Sequence, residues 1–413
     1  MDVLGVGRSD VGLVRANNED SLLVRPELGL YVVSDGMGGH AAGEVASELA
    51  VSTIERVVRE HHDVVKRVDR EPDLADDLVP IVSDAVRLAC RDIYNRATTD
   101  DSLAGMGCTA TAVLIAGSKA VMAHVGDTRL YLVRQGEAHQ MSSDHTMAAE
   151  LFRQGSIGIE EVASHPHRHV LTRALGPQQL VEVETLSFDV APGDRLVLCS
   201  DGVGDYLPSR GWLAERVDGT PVEDLADELI DFANDCGGAD NSTVITISVE
   251  GTNELRQRSR APQLALETLG SSFLFGDLSL AQLARVLDHC ETHTLEPGAI
   301  VCSSGEVVDR LLLIVSGLLV VTAADGRRSE VGAGQHVGEG LVMRPRPVRA
   351  TVVVKERSDV LILERSNLVD LASRRPWLGV ALLSRLVERL SGDVDRLADP
   401  GGSSGPPAAS DLL

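Results

Sequence analysis

The chain has 413 residues, 43% hydrophobic and 24% charged, and its 62 Asp and Glu against 38 Lys and Arg give a formal charge of -24. That is a soluble, globular composition long enough for two or three domains, each able to bury a core without disulfides. Such a charge repels nucleic acid and anionic lipid, and no run of Lys or Arg reverses it locally, so neither nucleic acid nor membrane is an expected partner.

The first residues, MDVLGVGRSDVG, show no basic segment leading into an apolar core, and no stretch of about 18 apolar residues occurs anywhere, as expected of a cytoplasmic protein. The six cysteines (Cys90, Cys108, Cys199, Cys236, Cys290, Cys302) form no CxxC pair and are expected to be buried free thiols in a reducing compartment.

In chain order, β-type runs are predicted at Leu28 to Val33, Ala110 to Ile115, Val121 to His124, Leu130 to Val133, Arg195 to Cys199 and Val244 to Val249. Helical periodicity marks Glu44 to Glu60, Leu78 to Arg96, Thr146 to Gln154 and Val222 to Cys236. Strands in hairpin-like clusters with long helices between them predict an α+β sandwich rather than a βαβ winding. The acidic stretch Asp69 to Asp77 reads as a solvated loop.

Charge divides the chain. Residues 1–250 carry 20 Lys and Arg against 42 Asp and Glu, whereas residues 251–413 carry 18 against 20. The polar, turn-rich stretch 251–262 reads as a linker between two domains of different character. The second domain, 263–396, opens with a helix at Leu278 to His289, continues as short β runs punctuated by glycines, and closes with an amphipathic helix at Trp377 to Leu397. That layout predicts a small β-barrel of jelly-roll type with flanking helices. The tail, 397–413, is rich in Gly, Pro and Ser and is expected to be disordered.

Aspartates recur at strand ends: Asp35 in LYVVSDGMGGH, Asp127 in VMAHVGDTRLYLV, Asp201 in RLVLCSDGVGDYL, and Asp240 just ahead of the strand in GGADNSTVITI. Asp and Gly also mark ordinary turns, and one such site means little. Four carboxylates converging at strand ends would repel one another without cations, and hard Mg²⁺ or Mn²⁺ suits oxygen ligands. The glycines beside them, such as Gly36, permit close backbone approach.

The sequence here resembles a known family. Arg15 with Asn18-Glu19-Asp20, SDGMGGHAAGEVAS from Ser34, GCTATA from Gly107, HVGDTRLYL from His124, SSDHT from Ser142, HPHRHVLTRALG from His165, LCSDGV from Leu198 and GGADNSTV from Gly237 are similar to the ordered motif set of bacterial metal-dependent Ser/Thr protein phosphatases of the 2C type. The resemblance spans 1–250 and implies a central β-sandwich flanked by pairs of helices. It implies that Asp35 bridges two core metals, Gly36 lends its carbonyl, and Asp201 and Asp240 complete the first metal's shell. Asp127 would help Asp201 hold a third metal, Arg15 would grip the substrate phosphate through its planar fork, and Glu19 and Asp20 would hydrogen-bond water on the metals. The implied reaction is direct hydrolysis of phosphoserine or phosphothreonine by metal-bound water, on phosphorylated proteins and opposing a Ser/Thr kinase. His40 has two readings, general acid for the leaving oxygen or a cap on the following helix. The segment Thr146 to His169 matches the family's flap beside the site.

Competing motifs carry less. His165, His167 and His169 would share a strand face, but Pro166 interrupts the strand and no fourth zinc ligand follows. No GxxxxGK[ST] or GxGxxG phosphate loop is present. A sensing or scaffolding protein with a silent phosphatase fold would be expected to lack some of the matched ligands, and all of them are present.

LEPGAIVCSSGEVVDRLLLIVSGLLVV and VGEGLVMRPRPVRATVVV resemble a cyclic-nucleotide-binding domain. The resemblance implies that Gly338 and Glu339 face the ribose and that an arginine binds the cyclic phosphate. Val348 occupies that arginine's place, with Arg349 one residue later; if a strand starts here, Arg349 turns to its opposite face, and Arg346 or Arg349 would reach the site only by a local bulge. Loss of ordinary cAMP and cGMP binding is therefore expected, leaving a cyclic-nucleotide sensor as the reading to test. Another ligand, regulation of the phosphatase, or dimerisation through the C-terminal helix are its alternative roles.

Overall fold

The computed structural model describes residues 1–38, 42–68, 70–251, 260–338 and 345–398. The contacts divide the chain into two compact units, Met1–Ser259 and Arg260–Leu413. Of the expected linker, 252–259 lie outside the described residues, but Arg260 to Pro262 open a helix, Arg260–Ser271. Proline is tolerated there because the first turn of a helix has no partner for its N–H. Of the expected disordered tail, 399–413 lie outside the described residues, and its first two residues close the helix Pro376–Ala398.

The first unit contains β1 (Asp2–Asp10), β2 (Asp20–Arg25), β3 (Leu30–Met37), β4 (Gly107–Cys108), β5 (Ala110–Ala116), β6 (Lys119–Val125), β7 (Arg129–Arg134), β8 (Glu137–Gln140), β9 (Glu184–Asp189), β10 (Arg195–Cys199) and β11 (Ser242–Glu250). One sheet runs β1-β11-β10-β7-β8 and the other β2-β3-β5-β6-β9, with β4 paired to β3. Every pairing within them is antiparallel.

Alternation along the strands builds four layers. Leu30, Val32, Ala112, Leu114, Val121 and Ala123 turn outward to a core shared with Ala42–Glu60 and Leu78–Thr99. Their neighbours Tyr31, Val33 and Val113 are also fully buried, on the other face of the sheet. A Cβ on Gly5 of β1 would strike the Tyr31 ring, so the two sheets meet there closely. On the second sheet Tyr131, Val133, Val197 and Cys199 pack against Arg210–Gly219 and Val222–Asp235 through Leu213, Leu225 and Leu229. Each such buried Leu contributes about 1.5–3 kcal/mol.

Two details differ from the sequence reading. Pro72–Asp77 form a short 3-10 helix whose Ala75 is buried and whose Leu74 packs on the core, because one face of the acidic segment is apolar. Cys236 is exposed, unlike Cys90, Cys108, Cys199 and Cys302, although all six thiols are free.

In the second unit the strands Glu291–Leu295, Arg310–Ala323, Arg328–Gly332 and Ala350–Glu364 form the main sheet, with Ile300–Cys302 and His336–Val337 attached to it. Val307–Val308 pairs with Arg346–Pro347 in a second, small sheet. The unit is jelly-roll-like and sheet-rich with helices at both chain ends, and the strands close no complete barrel among the described residues. Among the described residues no helix is long and apolar enough to cross a membrane.

Candidate metal centre

Both sheets of the first unit end in acids at one end of the sandwich. Asp35 lies on β3, Asp127 in the turn from β6 to β7, Asp201 just beyond β10, and Asp240 just ahead of β11. The β2–β3 register sets Asp20 directly opposite Asp35. Asp35, Asp127, Asp201, Asp240 and Arg15 line one cleft of 1520 Å³. That exceeds an ordinary small-molecule pocket and leaves room for an extended peptide.

Local hydrogen bonds fix the acids. The Asp35 N–H donates to Thr109 Oγ1 at 3.0 Å, and the Thr109 N–H donates to the Asp35 carbonyl at 2.8 Å, so the GCTATA segment clamps the end of β3. Gly36 donates its N–H to the Glu19 carbonyl at 3.1 Å, and a Cβ there would collide with the Glu19 and Gly43 carbonyls. A side chain at Gly202 would likewise collide with the Asn241 carbonyl. Asn241 donates from Nδ2 to the carbonyls of Val11 (3.0 Å) and Asn17 (2.9 Å), and its Oδ1 accepts from the Glu19 N–H at 2.8 Å. It thereby staples the loop that carries Arg15 to the strand that follows Asp240.

The electrostatics are those of crowded carboxylates. Burial first, then the charges of Asp20, Asp201 and Asp127, push Asp35 well above the usual carboxylate range. Burial and then Asp201 and Asp144 do the same to Asp127, and burial with Asp205 and Asp240 raises Asp201. Asp20 is pushed up to about 7, chiefly by burial, although Ser200 Oγ donates to its Oδ2 at 2.8 Å. Asp20 Oδ1 and Asp201 Oδ1 are buried without a hydrogen-bond partner. Buried oxygens in native proteins rarely go unpaired. Orphaned acceptors amid mutually repelling acids are the donor set that a hard divalent cation satisfies, and on that ground these residues fit one.

Arg15 is exposed, and its Nη2 donates to Asp240 Oδ2 at 2.7 Å, so two of the predicted site residues are joined to each other. His40 lies outside the described residues. His169 does not share a strand with His165 and His167; this segment is a short helix, Ile159–Val162, followed by turns. Its Nδ1 stands 3.9 Å from Asp201 and 3.6 Å from Asp205. Asp205 was missed in the sequence, although its i,i+4 spacing from Asp201 on one short helix was a readable signal. Arg129, of the GDTR segment, was also missed: it donates to Asp144 at 2.8 Å and to Asp205 at 2.8 Å, bracing the wall of the cleft. A separate buried group, His124, His145 and Glu184, satisfies itself, since His145 Nε2 meets Glu184 at 3.1 Å and His124 Nδ1 meets the Thr111 hydroxyl at 2.8 Å.

The second unit contrasts with this. Gly338 has φ +96°, and Glu339 lies outside the described residues. Val348 is 2% exposed within the core, while Arg349 is exposed. The cavity beside Gly338, lined also by Cys302, Val308 and Arg310, measures 10 Å³, room for about one water.

Fold and site define the class: a helix–sheet–sheet–helix sandwich whose acidic end requires divalent cations. The chain belongs to the protein phosphatase 2C family, whose model matches residues 14–241. Residues 292–375 match the cyclic nucleotide-binding domain model. The chain is 40% identical over 242 residues to the serine/threonine protein phosphatase PstP of Mycobacterium tuberculosis, a match covering 59% of this chain and 44% of that protein. The chain thus spans less than half of that relative's length. It is 33% identical over 255 residues to the serine/threonine phosphatase stp of Listeria monocytogenes, covering 61% of this chain and 98% of that one. Among solved structures, the catalytic domain of PstP in complex with two manganese ions aligns with a TM-score of 0.52 at 35% identity, over 60% of this chain and 99% of that one.

Proposed function

We propose that the chain is a metal-dependent protein serine/threonine phosphatase that removes phosphate from phosphoserine and phosphothreonine in proteins. The observation that carries this reading is the uncompensated acidic cluster: Asp35, Asp127 and Asp201 raised by burial and by neighbouring carboxylates, with buried oxygens of Asp20 and Asp201 unpartnered. Asp35, the Gly36 carbonyl, Asp201 and Asp240 would hold two Mg²⁺ or Mn²⁺ ions, with Asp127 and Asp201 serving a third. Bound, such ions neutralise the carboxylates, polarise the phosphoryl oxygens and acidify water.

The chain's own residues do the rest. Arg15 presents a planar guanidinium at the cleft edge, suited to two phosphate oxygens at once. Asn241 and Thr109 hold the backbones of Glu19 and Asp35, and Glu19 and Asp20 orient water. His40 is the proposed general acid. The 1520 Å³ cleft, bordered by residues of the segment 146–169, selects peptide rather than small-molecule phosphates. Residues 1–250 form the catalytic domain and 263–396 a regulatory domain in which Gly338, Glu339 and Arg349 mark the degenerate nucleotide site. The substrates are cytoplasmic phosphoproteins made by a Ser/Thr kinase. The test is phosphate release from a phosphothreonine peptide by the full chain with Mn²⁺; no release under any divalent ion overturns the reading.

A further inference from the structure

Behind the wall of the cleft lies a pair of buried polar side chains that the proposed chemistry does not use. His145 and Glu184 are 2% and 3% exposed. His145 does not line the cleft, whereas its chain neighbours Asp144 and Thr146 do.

His145 takes both backbone groups of Gly126. Its own N–H donates to the Gly126 carbonyl at 2.7 Å, and its ring Nδ1 accepts the Gly126 N–H at 3.1 Å. A backbone amide can only donate, so Nδ1 carries no proton and the ring proton sits on Nε2. Nε2 in turn donates to Glu184 Oε2 at 3.1 Å, while Glu184 Oε1 accepts from Ser143 Oγ at 3.2 Å. Glu184, the first residue of β9, thus fixes both the tautomer and the direction of the ring.

Gly126 opens the turn that carries Asp127. Its φ is +111°, and a Cβ there would strike Thr109, the residue that clamps Asp35. On the other side of the turn Arg129 is held by Asp144, through Nε at 3.0 Å and Nη2 at 2.8 Å. Consecutive residues, Asp144 and His145, therefore grip the Asp127 turn at both ends. The same histidine roots the segment beside the cleft: the Thr172 N–H donates to the His145 carbonyl at 2.8 Å, and Thr146 bridges Leu171. Burying a carboxylate and an imidazole costs more than filling the same space with apolar side chains. What the pair fixes is the place of the Gly126 N–H, and with it that of Asp127.

We infer that His145, oriented by Glu184, is the positioning residue for Asp127, setting where that carboxylate sits beside Asp201 and tying it to the base of the segment 146–171. The inference rests on the reading that Asp127 and Asp201 serve a divalent ion.

The test uses the full chain and counts bound Mn²⁺ by electron paramagnetic resonance, alongside turnover of a phosphothreonine peptide. His145→Asn keeps an acceptor at the place of Nδ1, whereas His145→Gln keeps only a group at the place of Nε2. His145→Gln should weaken the Asp127-dependent Mn²⁺ step by about 10-fold or more, the range for a residue that orients a metal ligand, and should lower kcat more than it changes KM. His145→Asn should stay close to wild type in both. Asp127→Ala should remove that binding step, and in its background His145→Gln should weaken Mn²⁺ binding no further. If the two histidine variants change Mn²⁺ binding alike, or if His145→Gln still weakens it without Asp127, the inference is overturned, because a purely structural histidine behaves in that way. Should His145→Gln fail to fold, Glu184→Asp, which draws the carboxylate back from Nε2, should show the same weakening, and unchanged Mn²⁺ binding there overturns the inference as well. Asp127→Ala that leaves Mn²⁺ binding unchanged fails the underlying reading of Asp127 and the inference with it; the other adverse results leave that reading standing.

Discussion

The two units treat charge in opposite ways. In the first, acids gather at the ends of apolar strands and are left uncompensated: Asp35, Asp127 and Asp201 are all raised, and two of the surrounding oxygens lack partners. In the second, the place where a cyclic phosphate would need a cation holds Val348, 2% exposed among Cys302, Leu312 and Val352, and the arginine beside it points to solvent. A stable core needs no explanation beyond packing, whereas a cluster that destabilises its own fold points to something it binds. The first unit is shaped for a ligand, whereas in the second the arginine's place is taken by a side chain of the core.

The largest effect expected from this contrast is on the acids. Asp35→Ala or Asp201→Ala should lower phosphopeptide turnover by ~10³-fold or more, since a metal centre supplies several kcal/mol of transition-state stabilisation. The same variants, stripped of metal, should melt at a higher temperature than wild type stripped of metal, because each removes a buried carboxylate held above its ordinary pKa. Scanning calorimetry in EDTA checks this. A lower melting temperature would mean that the acids stabilise the fold and are not strained for a cation.

Next is the reverse change in the second unit. Val348→Arg puts an unpaired charge into a sealed core and should destabilise that unit by about 3 kcal/mol or more, measured by urea unfolding. The wild-type chain should show no micromolar heat of binding with cAMP or cGMP. Nucleotide binding by wild type would mean that Arg349 or another cation reaches the site and would dissolve the contrast.

A smaller effect belongs to Arg15. Arg15→Lys keeps the charge but loses the fork and should raise KM or lower kcat by about 10-fold, with Arg15→Ala at about 100-fold, the range of a charged hydrogen bond of ~1.5–3 kcal/mol. Steady-state kinetics on a phosphopeptide measures both.

The smallest is a pH effect at the buried His124. Burial, and then the neighbouring His145, lower His124 from 6.5 to about 4. The unfolded chain therefore binds a proton that the folded one refuses, so its contribution is full above pH 6.5 and falls by up to ~1.4 kcal/mol per pH unit below it. His124→Gln should flatten that part of the stability profile between pH 6.5 and 4, read by denaturant titration.

Where hydrophobic periodicity was strong, the sequence located elements within a few residues: Leu78 to Arg96 was expected and Leu78–Thr99 is found, and Arg195 to Cys199 matches outright. β1 was not legible because Gly5 and Gly7 interrupt its alternation, and those glycines exist for the packing of Tyr31 and Leu22 across the sandwich. Helix Arg210–Gly219 was missed because it buries only Leu213, Ala214 and Val217. Of the site, each aspartate could be read from its place beside an apolar run. The pairing of Arg15 with Asp240, the stapling by Asn241 and the bond from Ser200 to Asp20 could not, because each depends on residues about 180 or more positions apart being brought together by the two sheets. Val348 was legible in its type, which excludes a phosphate contact, but Val348 and Arg349 lie between the strands Arg346–Pro347 and Ala350–Glu364 rather than on one, so strand alternation does not set their directions.

The most direct test of the central claim is to titrate Mn²⁺ into metal-stripped full-length protein while following both heat of binding and phosphate release from a phosphothreonine peptide. The account predicts that turnover rises as two ions bind per chain, and that EDTA abolishes it. Turnover that persists in EDTA, or saturation with metal that brings no turnover, would contradict it.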